Sequence, residues 1–105
     1  MDSVMIIISK DIPNNNDTLK IIDNIMERLV TKSQFFLFNI YCGGPDSIGW
    51  KYAELRGLPH IIVTDRYSAD FYVILTSKQN KNNLYAFAHY IKTLGKHGTL
   101  QQLGD

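Results

Sequence analysis

The chain has 105 residues, 45% of them hydrophobic, which is enough for one domain (residues 1–105) built on a single core. Eleven basic against ten acidic side chains leave a formal charge of +1, so a broad electrostatic grip on nucleic acid or anionic lipid is not expected. With Cys42 as the single cysteine, an internal disulfide is excluded and a cysteine-based metal site is not expected.

Val4 to Ile8 is a continuous apolar, mostly β-branched run that suits a strand buried on both faces. It lacks a basic flank and is too short for a signal peptide or a membrane span, so a soluble, cytoplasmic protein is expected. The frequency of Ile, Asn and Lys fits an AT-rich coding genome and is a compositional hint of a phage source. Asp11 to Asn16 is turn chemistry. A helix then begins with Asn16 or Asp17 as its N-cap, and Leu19, Ile22, Ile25, Met26, Leu29 and Val30 give it one apolar stripe.

Phe35 to Tyr41 reads as a second buried strand, and Ser47 to Arg56 as a short helix capped by Asp46, with Ile48, Tyr52 and Leu55 turned inward. Gly57 suits the left-handed end of that helix, and Pro59 follows it. His60 to Thr64 and Phe71 to Thr76 read as strands. The stretch between them, Asp65 to Asp70, is too short for a full helix. Asn80 to Asn83 introduces a last helix with a core face of Leu84, Phe87, Ala88, Ile91 and Leu94, ended by Gly95, and Gly98 to Leu103 adds a brief strand. This alternation predicts an α/β, Rossmann-like fold: a small, mostly parallel sheet of four to five strands with helices on both faces.

Gly43 and Gly44 follow the second strand directly. A glycine pair there permits a tight turn and a close backbone approach, and the N–H groups of the next helix point at the same place. In open α/β sheets, phosphate-bearing ligands settle at that position. Gly43 and Gly44 therefore read either as a phosphate cradle or as a plain turn. Lys10 and Ser9 leave the first strand on the same edge of a parallel sheet, with Lys10 suited to a phosphate. Asp46 suits a ribose hydroxyl or a general base, and more simply a helix cap; Ser47 suits a phosphate at the helix start. Asp65 and Arg66 close the third strand on that edge. The polar set converges on a pocket or forms an ion-paired, solvated rim. Trp50 and Tyr52 read as stacking residues or, for Tyr52 above all, as core. Cys42 has no histidine neighbour in sequence and reads as a small apolar filler. His60, His89 and His97 show no metal-ligand spacing, and His60 is expected at the opposite end of the sheet.

Several fragments, in order along the chain, resemble the small YspA-type proteins of the SLOG superfamily. They are Ser9-Lys10-Asp11, Gly43-Gly44 with Asp46, Tyr52-Ala53-Glu54-Leu55-Arg56-Gly57-Leu58-Pro59, Ala69-Asp70-Phe71-Tyr72-Val73-Ile74, and Gly95-Lys96. The resemblance implies a Rossmann-like domain that binds nucleotides or nucleotide-derived ligands; some relatives cleave N-glycosidic bonds. The chain departs from the pattern at Ile8, where a glycine usually stands, and at Pro45, where the loop is shorter. It departs again after the third strand, where Asp65 to Ser68 replaces a longer ligand-facing segment. These departures predict a shallower pocket or none.

The expected function is binding of a nucleotide or nucleotide-derived signal without turnover, through Ser9, Lys10, Gly43, Gly44, Asp46, Ser47 and Arg66. No catalytic residue, metal or cofactor is assigned, and neither nucleic acid nor membrane is an expected partner. The alternative is a protein-interaction or inhibitor module that kept the fold and lost the pocket. It would use surplus aromatics (Phe35, Phe36, Tyr67, Tyr72, Tyr85, Tyr90) against a protein partner or a second copy. A third reading is a nucleotide N-glycosidase using Asp46.

Overall fold

Four apolar runs and the more polar stretch at residues 97–103 form five strands that pair in parallel throughout, in the order β3-β2-β1-β4-β5. The elements of this computed structural model, which describes residues 2–29 and 38–103, follow the chain as β1 (Asp2–Ile8), α1 (Asn16–Leu29), β2 (Phe38–Cys42), α2 (Ile48–Arg56), β3 (His60–Ile62), β4 (Phe71–Ser77), α3 (Lys81–Thr93) and β5 (His97–Leu103). The result is a small Rossmann-like α/β fold. Of the predicted second strand, residues 35–37 lie outside the described residues, as does Val30 of the first helical stripe. Among the described residues, no helix is long and apolar enough to cross a membrane.

Successive strand residues face opposite ways, and this sorts the core into two layers. On one face Val4, Ile6, Ile40, Cys42, Val73 and Leu75 pack under Leu19, Ile22, Ile25 and Met26 of α1 and Ile48 and Tyr52 of α2. On the other, Met5, Tyr72 and Ile74 pack under Phe87 and Ile91 of α3. The two helices of the first layer are tied by Tyr52, whose hydroxyl donates to Asp23 Oδ1 at 2.8 Å, while Arg56 Nε pairs with the same carboxylate at 2.8 Å. Burial, together with the Asp23 carboxylate, raises the Tyr52 phenol well above its ordinary pKa.

Three predicted details are corrected. The first helix is capped one residue earlier than expected, because Asn15 Oδ1 accepts the Thr18 N–H at 3.1 Å. Leu55 is 64% exposed: the buried stripe of α2 is Ile48, Gly49, Tyr52 and Ala53, and Leu55 falls roughly a quarter-turn from its centre. Leu94 is the C-cap of α3, beyond the helical stripe, and is exposed. Gly57 and Gly95 do end their helices in the left-handed region, at φ 67° and 77°.

The return from β3 to β4 positions the site. It runs through residues 63–70 without a helix, from an edge strand back past β2 and β1. Asp65 Oδ1 accepts the Tyr67 N–H, and the Tyr72 hydroxyl donates to the Arg66 carbonyl at 2.8 Å. At the far end Asp70 Oδ2 accepts both the N–H and the hydroxyl of Ser3, the latter at 3.1 Å, and Lys96 Nζ donates to the Ala69 carbonyl. This short path covers only part of the second face. One row across the sheet, Tyr72, Met5, Tyr41 and Ile61, follows from register. It runs from 0% exposed at Tyr72 through 7% at Met5 and a half-buried Tyr41 to 46% at Ile61.

Candidate functional site

A cavity of about 730 Å³ opens at the carboxyl ends of β1, β2 and β3. Its polar lining holds Ser9, Lys10, Asn14, Gly43, Asp46, Ser47, Thr64 and Arg66, drawn from the three loops that follow those strands. Its floor is apolar: Ile6, Ile8, Ile12, Ile48 and Ile62 from one face, and Met5, Ile7, Tyr41 and Val63 from the other. Six of the seven residues singled out above thus share one concavity, because parallel strands deliver their following loops to one edge. Gly44 stands outside the lining.

The chain does turn tightly after β2, with the Gly44 carbonyl accepting the Ser47 N–H at 3.1 Å, but neither glycine's backbone requires a glycine. Neither residue has positive φ, and a Cβ built on either meets nothing within 4 Å. What the missing side chain leaves at Gly43 is an uncovered backbone beside the cavity. The cap expected of Asp46 belongs to Ser47. Ser47 has the extended backbone of an N-cap (φ −71°, ψ 154°), and its Oγ accepts the Trp50 N–H at 3.3 Å while donating to the Gly44 carbonyl at 2.7 Å. Asp46 is consequently left exposed, its carboxylate making no hydrogen bond or ion pair among the described residues. Its carbonyl accepts Asn14 Nδ2 at 3.2 Å, which links the loops after β1 and β2 along one wall.

The two cations differ in how they are held. Lys10 is an exposed arm without a carboxylate partner among the described residues. The Arg66 guanidinium lies over the rings of Phe87, at 5.3 Å, and Tyr67, at 5.7 Å. Aromatic faces restrain it, with no ion pair among the described residues, so its charge stays available to an anion. Asp65 spends its carboxylate on the turn and is not in the lining.

Ser9 reaches the cavity but is buried, and its Oγ accepts the Ser77 N–H at 3.0 Å. Next to it the Ser77 hydroxyl, with those of Ser9 and the amide of Asn80, holds the Asp11 carboxyl below its ordinary range despite some desolvation; Asn80 Nδ2 donates to Asp11 Oδ1 at 2.9 Å. This knot ties the end of β1 to the end of β4. It lies at the topological switch point, where doubly wound folds usually admit a ligand, and the cavity described above lies on the β2–β3 side of it.

Tyr41 is the aromatic that the sequence reading missed; the signal was its alternation with Ile40 and Cys42, which puts it on the other face of β2. The two aromatics proposed for stacking are placed elsewhere. Tyr52 is buried, and Trp50 sets its ring edge-on to His60 at 4.4 Å and donates Nε1–H to Glu54. His60 opens β3, at the end of that strand away from the cavity mouth.

Cys42 ends β2 beneath α2, and burial pushes its thiol up from 9.0 to about 11, the neighbouring Ser47 side chain opposing weakly. The folded state thus favours the neutral thiol, a preference fully present below pH 9 and lost as pH rises through 11. Native protein at pH 8 should react with a disulfide reagent far more slowly than unfolded chain, and thermal stability should decline between pH 9 and 11. Equal native and unfolded reaction rates would refute this placement of the thiol. Among the described residues no group of three metal-ligating side chains comes together. No family model, curated protein or solved structure matches this chain.

Proposed function

We propose that the chain binds a nucleotide or nucleotide-derived signal at the carboxyl rim of β1–β3 and does not turn it over. The observation that carries this reading is the meeting of Lys10, Gly43, Asp46, Ser47 and Arg66 around one cavity of about 730 Å³, within the size range of small-molecule sites. Lys10 and Arg66 supply positive charge for phosphate, the Gly43 backbone and the start of α2 supply N–H groups, and the exposed Asp46 carboxylate suits sugar hydroxyls. The SLOG-like order of the motifs supports the same reading.

Asp46 is the one carboxylate in the described lining, whereas N-glycosidic cleavage calls for a second group to assist departure of the base. The glycosidase reading is thus the weaker one. A thermal-shift screen over mono-, di- and cyclic nucleotides tests binding: a ligand at a hundredfold excess over its Kd adds about 2.7 kcal/mol and raises Tm by roughly 10–20 °C. A folded sample that none of them stabilises would overturn the proposal. The interaction-module reading is favoured by one feature, the exposed Tyr85, Tyr90 and Leu94 of the α3 region. Tyr72, counted earlier among the surplus aromatics, is fully buried, and Phe35 and Phe36 lie outside the described residues. Light scattering that finds a strict monomer counts against self-association through that face.

A further inference from the structure

The cavity has two chemically distinct halves. The polar half is the rim of Lys10, Asp46, Ser47 and Arg66. The other half exists because the β3–β4 connection has no helix: the second face of the sheet, shielded at Tyr72 and Met5, is bare toward Ile61. Tyr41 stands in the middle of this strip. It is half-buried, flanked in the lining by Ile7 and Val63, and its hydroxyl makes no hydrogen bond among the described residues. A ring whose surface is apolar, supported by the cluster behind it and continuous with a cationic rim suits a flat, uncharged group attached to an anion.

We infer that this bare strip is a base subsite: the nucleobase lies against the Tyr41 side chain on the second face of the sheet, with the phosphate at Lys10 and Arg66. The inference rests on the nucleotide reading of the rim and adds where the base goes and how it is selected. Ile7, Val63 and Met5 carry no hydrogen-bonding side-chain groups that read a base edge, so selection follows stacking area. Purines are preferred over pyrimidines, and adenine and guanine are told apart poorly. Stacking on an aromatic side chain is strong enough to change affinity roughly tenfold or more.

Calorimetric titration of the wild-type chain with AMP, GMP, CMP, ribose 5-phosphate and hexyl phosphate tests this. The expected result is AMP and GMP within about threefold of each other, CMP weaker than both, and both purine nucleotides at least about tenfold tighter than ribose 5-phosphate. Tyr41→Phe should keep that gap, and Tyr41→Leu should bring AMP close to ribose 5-phosphate while leaving the latter unchanged. Ribose 5-phosphate that binds as tightly as AMP overturns the base subsite and leaves the anion rim standing. Hexyl phosphate that binds tighter than AMP replaces the ring with an apolar chain and also overturns it, as does a Tyr41→Leu variant that weakens every compound alike. If none of the five compounds binds, the rim reading fails and the subsite with it. The wild-type comparisons decide the matter even where Tyr41→Leu does not fold.

Discussion

Truncating Ile40 to alanine is expected to destabilise the fold by about 3 kcal/mol and lower Tm by roughly 10–20 °C. Ile40 is 0% exposed, at the middle of β2, between Val4 and His60 in the sheet register. Helix α2 comes down onto it at Gly49, where the position of an added Cβ lies 3.7 Å from Ile40 Cγ2. The helix cannot easily follow the retreating side chain, because Ser47 caps one end, Gly57 fixes the other, and the Tyr52–Asp23–Arg56 contacts bind it to α1. Most of the removed volume is therefore left as a void, which is why a value in the middle of the usual range for such truncations applies. Leu55→Ala on the same helix is the control. At 64% exposed it should change stability by no more than about 0.5 kcal/mol. Urea unfolding of both variants gives the comparison, and a loss below about 1 kcal/mol for Ile40→Ala would contradict this packing of α2 on β2.

Those two residues also mark how far the fold can be read from the chain. Ile40 sits in a run whose one polar residue is Asn39, and a run so apolar announces its strand without help from periodicity, although Asn39 and Tyr41 on its second face are only half-buried. The alternation of such runs with helical stripes then leaves few topologies, and the parallel sheet follows. Leu55 belongs to a nine-residue helix, where the apolar positions are too few to fix the stripe's direction and a spacing of seven looks as good as a spacing of four or five. Helix ends behave similarly. Asn14, Asn15, Asn16 and Asp17 all have capping chemistry, as do Asp46 and Ser47, and only the backbone conformation chooses among neighbours.

The rim of the cavity was legible for a reason that needs no residue-level detail: parallel strands carry Lys10, Gly43 and Arg66 to one edge whichever loops follow. Its floor was not. The shortened stretch after β3 predicts a shallower pocket when it is treated as missing lining. In the folded chain, the same shortening uncovers Tyr41 and Ile61, and a cavity of about 730 Å³ persists along the exposed sheet. A second effect is equally hidden in the sequence. Ser9 resembles a ligand-facing serine, yet its hydroxyl is engaged across the sheet by Ser77, 68 residues further on. Contacts of that range depend on which strands are neighbours, and sequence order does not reveal that β1 lies beside β4.

Replacing Arg66 with alanine is expected to weaken binding of AMP or inorganic pyrophosphate roughly 10- to 100-fold, with little effect on folding. A charge-assisted hydrogen bond to phosphate contributes about 1.5–3 kcal/mol, which is the origin of that range. The loss should be large for an exposed arginine, because its guanidinium is restrained over Phe87 and Tyr67 and loses little freedom when an anion arrives. Removing those ring contacts costs stability only about 0.5–1 kcal/mol, so a fall in affinity at nearly constant Tm separates a binding role from a structural one. Arg66→Lys keeps the charge but not the flat fork or its stacking, and should fall between wild type and alanine. Lys10→Met, on an exposed and strongly hydrated arm, should cost less than Arg66→Ala and should do so mainly at low ionic strength, where exposed charges act over longer distances. Titrations at about 20 and 200 mM salt distinguish the two cations. Affinities unchanged within about twofold for both Arg66→Ala and Lys10→Met would remove phosphate from this rim.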